Sequence, residues 1–365
     1  MKHFKNLYPK IYDYENLHRA YLSARKNKRY RSEVLAFSAN LEENLIELQN
    51  ELIYRSYKVG RYREFYVSEP KRRLVMALPF RDRVLQWAVY RIVNPLFSRA
   101  YISDSYACIP GRGEFSAIQR LHYWLRLECK AQRMYYLKLD MAKFYYRVDH
   151  KILLELLSKK IDDSDLMQLL RIIIESEDTP FGLPLCGDLA ESARLFDIGI
   201  PIGNLTSQMF ANLYMNELDQ FAKRTLRIGR YIRYMDDIII LSPSKELLHH
   251  YKIVLEKFIN EKLHLELNKK TAIRPCSLGV DFCGYKIWPD HIKVRKSTAL
   301  RMKRHLKLVT EQYAEGRISL EKANQTFTSY FGLLKHCNSY QLRKKISKTY
   351  ILKRKNNSEN QKGSA

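Results

Sequence analysis

Between residues 15 and 55 apolar positions recur at helical intervals, clearest at Leu41, Leu45, Leu48 and Leu52, and predict helix throughout. Arg63–Val67 alternates, Ser68-Glu69-Pro70 offers a turn, and Leu74–Leu78 resumes an extended run. Together they predict a hairpin whose tip carries Lys71, Arg72 and Arg73. A helix is expected from Asp82 to about Phe97, and a strand over Met134–Asp140 with Leu137 and Leu139 on one face. Asp149 opens a further helix, with Ile152, Leu153, Leu156 and Leu157 at helical spacing. Residues 175–200, with scattered Pro, Gly and acids, form a long loop of the kind that is either functional or disordered. Asn204 is placed as the N-cap of a helix whose apolar stripe runs through Leu205, Met209 and Leu213. Arg230–Leu241 reads as two extended runs joined at Met235-Asp236-Asp237, and basic helices separated at Gly316 and Asn338 follow residue 290. Clustered strands with segregated helices make this an α+β chain.

Charge changes the picture. With 64 Lys and Arg against 39 Asp and Glu, the 365-residue chain carries a formal charge of +25. Such an excess points to a polyanionic partner or to basic solvated faces. Residues 286–365 hold 14 of those net charges. A hydrophobic content of 46% suffices for packed cores. Cys108, Cys129, Cys186, Cys276, Cys283 and Cys337 form no C-x-x-C pair, which argues against a zinc site or disulfide framework and suggests a reducing cytoplasm. No apolar leader opens the sequence and no apolar run reaches 18 residues, so neither a signal peptide nor a membrane span is expected.

Two adjacent acids, Asp236 and Asp237, sit between β-rich flanks, and a third, Asp140, ends an apolar strand. Paired acids are ordinary turn residues, and an acid after a strand can be a helix N-cap. They are also what two-metal phosphoryl transfer needs, because Mg²⁺ prefers a few carboxylates on rigid elements and keeps several waters. Apolar residues pressing in from both sides favour the second reading.

Tyr234–Asp237 resembles the Y-x-D-D box of reverse transcriptases, and Leu139–Tyr145 resembles their first metal-binding motif. Further blocks follow in family order: Lys71–Arg83, Ser105–Gly113, Gly199–Gln208, Leu267–Thr271 and Phe282–Tyr285. The resemblance implies a right-hand polymerase with fingers, a palm whose antiparallel sheet is backed by helices, and a helical thumb. It divides the chain into an N-terminal extension and fingers (1–105), the rest of the fingers and the catalytic palm (106–285), the thumb (286–352) and a disordered basic tail (353–365).

Carried over position by position, Asp140, Asp236 and Asp237 are the catalytic acids and hold two Mg²⁺, for which Mn²⁺ can substitute, with the Met141 carbonyl an added ligand. Lys71, Arg72, Arg73, Tyr145, Ile202, Gly203 and Lys270 surround the nucleotide. Tyr145 blocks a ribose 2′-hydroxyl, and Lys270 protonates the leaving pyrophosphate. Phe282 and Gly284 belong to the primer grip. The implied partners are a template RNA and a cDNA or primer strand.

The chain resembles bacterial enzymes of the group II intron lineage, without their His/Asn-rich endonuclease cluster. Where most of the superfamily has Pro-Gln-Gly, it has Pro201-Ile202-Gly203. The string Ile202–Gln208 resembles diversity-generating retroelement reverse transcriptases, which copy RNA with errors at adenines during mutagenic retrohoming and work with a small basic accessory protein. Retron, CRISPR-associated and phage-defence reverse transcriptases are the alternatives, and a non-catalytic RNA-binding scaffold the remaining one.

Overall fold

A computed structural model describes residues 3–67, 73–176, 179–184 and 194–354. The chain divides into two compact units. The first comprises Met1–Gly113, Leu137–Ile240 and Glu246–Ala272; the second comprises Glu114–Tyr136, Leu241–Lys245 and Ile273–Ala365.

In the first unit the N-terminal stretch forms helices Tyr14–Ala24, Ser32–Ala39 and Leu41–Ile53, not one continuous helix. The first break falls where five cations crowd residues 25–31 and Asn27 turns left-handed at φ 60°, a conformation Asn tolerates better than most. Tyr21, Phe37 and Phe80 lock these helices onto helix Phe80–Ser98 through ring contacts of 5.3–6.2 Å.

Strands β1 (Arg63–Val67) and β2 (Arg73–Ala77) form the expected antiparallel hairpin. Leu74, Met76 and Leu78 turn inward in strict alternation and pack with Tyr62 and Phe181. Arg73 pairs with Val67 as the first residue of β2, so it stands on the ladder and not at the tip. Lys71 and Arg72 lie outside the described residues, as do 355–365 of the expected tail.

A four-stranded sheet follows the order β4–β5–β3–β6, with β3 Tyr135–Asp140, β4 Tyr231–Tyr234, β5 Asp237–Ser242 and β6 Ala272–Pro275. Helix Leu205–Gln220 is buried on most of its circumference, including Asn212 and Asp219. A helix enclosed on all sides is a central element, not a surface one. Asn204 holds the expected N-cap position, but its amide donates to the Tyr62 hydroxyl at 2.8 Å instead of capping the helix.

The second unit has a three-stranded antiparallel sheet, β7 (Val280–Phe282), β8 (Tyr285–Ile287) and β9 (Ile292–Val294). Helices Lys296–Ala314, Leu320–Leu334 and Tyr340–Thr349 share a core of Met302, Leu306, Leu334 and Ile346. They break near Gly316 and Asn338, as the sequence predicts. Gly316 supplies a left-handed φ of 80°, and the Ser319 hydroxyl caps the next helix by accepting from Lys322 N at 3.2 Å. Among the described residues no helix is long and apolar enough to cross a membrane.

Candidate active site

Strand β3 alternates so that Leu137 and Leu139 are buried while Lys138 and Asp140 share the opposite, half-buried face. Tyr234 pairs with Asp237, so the β4–β5 loop is only Met235-Asp236, and Asp237 is the first residue of β5 rather than part of the turn. Adjacent strands β3 and β5 thereby bring the acids together. Lys138 Nζ lies 2.8 Å from Asp237 Oδ2. Burial pushes the Asp237 carboxyl up to about 6; Lys138 opposes the rise, and the charges of Asp140 and Asp236 reinforce it.

Asp237 Oδ1 is buried with no hydrogen-bond partner. Such an oxygen, in the field of two further carboxylates, is the donor that a hard divalent cation satisfies. Among the described residues no three His, Cys, Asp or Glu side chains gather tightly enough to hold an ion by themselves. Lys138 already holds the second Asp237 oxygen. An ion bound by one or two carboxylates, with water and substrate phosphates completing its shell, fits these residues.

Segment 266–268 fixes the backbone at Asp140. Asn268 N donates to Asp140 O at 2.7 Å and Ala142 N to Glu266 O at 2.8 Å, bonds in which the Met141 carbonyl takes no part. Lys270 is exposed two residues further on, with its backbone N–H donating to Asn268 Oδ1 at 3.1 Å.

Burial pushes the Tyr145 phenol well up; Cys108 and Asp236 add to the rise, while Arg73 and Arg233 oppose it. The ring therefore stands within electrostatic reach of both Asp236 and Arg73. Ile200 N donates to Tyr145 O at 2.8 Å, and Met76 N to Ile202 O at 3.0 Å. Gly203, at φ 124°, packs so closely that a Cβ there would stand 3.0 Å from Met76 O. Thus Tyr145, Ile202, Gly203 and strand β2, which begins at Arg73, are tied by backbone contacts into one neighbourhood. His150 steadies its rim: Nε2 meets Gly199 O at 2.6 Å, and burial holds the imidazole below the usual histidine range.

Phe282 and Gly284 lie in the second unit. Phe282 is fully buried opposite Tyr285, and the tip of its hairpin is Cys283-Gly284, with φ 46° and 78°. Gly284 faces open space where a Cβ would stand, so the tip and not the Phe282 ring is what a ligand could approach.

Sequence reasoning missed the groups beneath the turn. Arg233, entirely buried, grips Asp219 through Nε at 2.8 and 3.0 Å and Nη2 at 2.7 Å. Its Nη1 donates to Asn212 Oδ1 at 3.2 Å and Met235 O at 2.9 Å. The available signal was an arginine inside an otherwise apolar strand, because a cation there must have a buried partner.

Carboxylates on two neighbouring strands, beside a basic hairpin and a buried aromatic, define the class of nucleotidyl-transfer polymerases. Residues 68–287 match the family described as "Reverse transcriptase (RNA-dependent DNA polymerase)", and the chain belongs to that family. It is similar to "Protein YkfC" of Escherichia coli K12, at 23% identity over 284 residues, covering 68% of this chain and 72% of that one. "Group II intron-encoded protein LtrA" of Lactococcus lactis subsp. cremoris is 23% identical over 322 residues, covering 68% of this chain and 50% of LtrA. "Retron Ec73 reverse transcriptase" of Escherichia coli is 23% identical over 241 residues, covering 61% and 68%. Among solved structures, telomerase from Candida albicans aligns with a TM-score of 0.48 and 12% identity, covering 76% of this chain and 55% of that one. The α+β architecture, with its antiparallel hairpins, is consistent with the right-hand polymerase class.

Proposed function

We propose that this chain copies RNA into DNA in a diversity-generating retroelement, with low fidelity at template adenines. The observation carrying the catalytic part is the orphaned Asp237 oxygen set among the charges of Asp140 and Asp236. In the reaction the primer 3′-hydroxyl attacks the α-phosphorus of the nucleotide and pyrophosphate leaves. Two Mg²⁺, when bound, activate that hydroxyl and neutralise the leaving oxygens. Asp140, Asp236 and Asp237, with the Met141 carbonyl, would hold them. Tyr145 presents its ring where a 2′-hydroxyl would project. Arg73, joined by Lys71 and Arg72, counters the triphosphate charge, since guanidinium suits bidentate phosphate contact. Lys270 is the proton donor to pyrophosphate. Residues 1–105 serve as N-terminal extension and fingers, 106–285 as the remaining fingers and palm, and 286–352 as a thumb that holds the template–primer duplex. The Cys283-Gly284 tip grips the primer. A small basic accessory protein is the expected partner, and the cytoplasm the expected location.

Ile202 carries the retroelement part. A glutamine at this position could donate and accept hydrogen bonds, whereas isoleucine offers neither. Apolar contacts tolerate small displacements that polar contacts punish. Losing that amide should narrow the gap between right and wrong insertion by about 1–2 kcal/mol, roughly five- to thirtyfold. The test is sequencing of cDNA made by the parent and by Ile202→Gln on one RNA template. Fewer errors opposite adenine in the variant, with little change opposite other bases, are expected. Matching adenine spectra would mean that Ile202 marks a lineage and does not set its fidelity. A second reading, a retron enzyme, is supported by the similarity to the Ec73 protein.

A further inference from the structure

We propose that Arg233 and Asp219 form a positioning pair that aims the catalytic turn, acting through the carbonyl of Met235. The proposal rests on the metal-dependent polymerase reading above.

The two-residue loop Met235-Asp236 closes β4 onto β5, and Met235 adopts φ 58°. Hairpin loops with a left-handed first residue normally place glycine there, because a Cβ crowds the neighbouring carbonyl. A methionine in that position needs restraint from outside the loop. Arg233 supplies it at Met235 O, 2.9 Å away. Because the peptide is planar, fixing the Met235 carbonyl also fixes the N–H of Asp236 and the direction in which that acid leaves the chain.

The restraint is itself anchored on several sides. Both Arg233 and Asp219 have fully buried side chains. Tyr231 OH donates to Asp219 Oδ1 at 2.7 Å, so the carboxylate is satisfied from strand β4 twice. Arg233 also bridges outward through its backbone, with its N–H donating to Asp104 O at 2.9 Å and its carbonyl accepting from Tyr106 N at 3.1 Å. Asn212, which shares Nη1, donates its own amide to Ala107 O at 2.8 Å. The turn is thus referred to helix Leu205–Gln220, the helix that begins just after Ile202-Gly203, and to segment 104–107.

A buried ion pair is a poor device for stability alone, because apolar residues of similar volume often replace it without loss. Only a guanidinium can chelate Asp219 and still reach two further acceptors; a lysine ammonium cannot span that fork. The pair is therefore explained by geometry at the turn better than by stability.

The experiment compares the parent chain with Arg233→Lys and with the double variant Arg233→Met/Asp219→Leu. Thermal unfolding is read first. Mn²⁺ affinity is then read by electron paramagnetic resonance without nucleotide or template, and primer extension on RNA is measured across a Mg²⁺ series. Folded variants should bind Mn²⁺ about tenfold more weakly than the parent. They should also need more Mg²⁺ for half-maximal rate, and their kcat should fall more than their nucleotide KM rises. Parental Mn²⁺ affinity in either folded variant overturns the proposal, because the pair would then be structural only. Failure of Arg233→Lys to fold overturns it too, by assigning the pair to stability. A parent that binds no Mn²⁺ would instead sink the metal assignment on which the proposal rests.

Discussion

Asp237→Asn separates catalysis from stability in one substitution. The parental carboxyl is raised from 3.8 to about 6, chiefly by burial, with Asp140 and Asp236 adding to the rise. The folded state therefore holds the proton more tightly than the unfolded chain does. This contribution to stability is fully present below the unfolded value and is lost as pH rises through about 6. Two pH units correspond to roughly 3 kcal/mol. With a quarter of the side chain exposed to water, about 1–2 kcal/mol is the better expectation. Asparagine cannot ionise, so in EDTA the melting temperature of the parent should fall relative to that of the variant between pH 4 and 7.5. The divergence should be a few degrees. Mg²⁺ at pH 7.5 should raise the parent and leave the variant nearly unmoved. Primer extension by the variant should drop at least about a hundredfold, since a lost metal ligand removes several kcal/mol of transition-state stabilisation. A pH-independent difference in melting temperature would refute the electrostatic account. Extension at a tenth of the parental rate would refute the metal assignment.

Tyr145→Ala should admit ribonucleotides, erasing most of the preference for dGTP over GTP in single-nucleotide extension; an unchanged ratio in an active variant would move the gate to Phe144. Arg304, Lys307 and Lys344 are exposed on helices Lys296–Ala314 and Tyr340–Thr349. If each meets a phosphate, changing all three to Gln should reduce the log–log salt dependence of template–primer binding by about 2–3, given about 0.7–0.9 per contact. An unchanged slope would make these helices merely a solvated basic face. His150 is held neutral by burial, so its contribution to stability is present above about 6.5, the unfolded histidine value, and declines as pH falls below it. His150→Gln should flatten that decline in a pH series of melting curves, and an unaltered decline would assign it to other groups.

The elements whose periodicity was strong were legible from the sequence: the β1–β2 hairpin, β3, the paired runs around Asp236 and the three basic helices. Strand alternation also foretold which face of β3 carries Asp140. The break after Ala24 was not legible, because no Gly or Pro marks it and the left-handed residue is Asn27. The Asn204 side chain misled for a different reason. A nearby Tyr62 hydroxyl outcompetes the helix end for its amide, and a partner 142 residues away leaves no local trace. Lys138 and Asp219 left no local trace for the same cause, and Arg233 left only a charge inside an apolar strand. Their roles arise only when the strands align, and a lone charge in an apolar run does not name its partner. Phe282 shows the converse: the motif placed it near the primer, while the side chain serves the core of its own unit.

The contact of Gly203 with Met76 joins the 199–203 segment to the β1–β2 hairpin. The loop that carries Ile202 and Gly203 leans on the same strand that presents Arg73, with Ile202 O bonded to Met76 N and Val75 Cγ1 only 3.2 Å from where a Gly203 Cβ would be. Any side chain at position 203 would wedge that strand outward, and any change of bulk at Val75 would press on the loop from the other side. Under the function proposed above, accuracy and speed would be mechanically linked in this chain. Selection for faster incorporation through β2 would alter its error spectrum, and selection on the spectrum would alter its grip on the triphosphate.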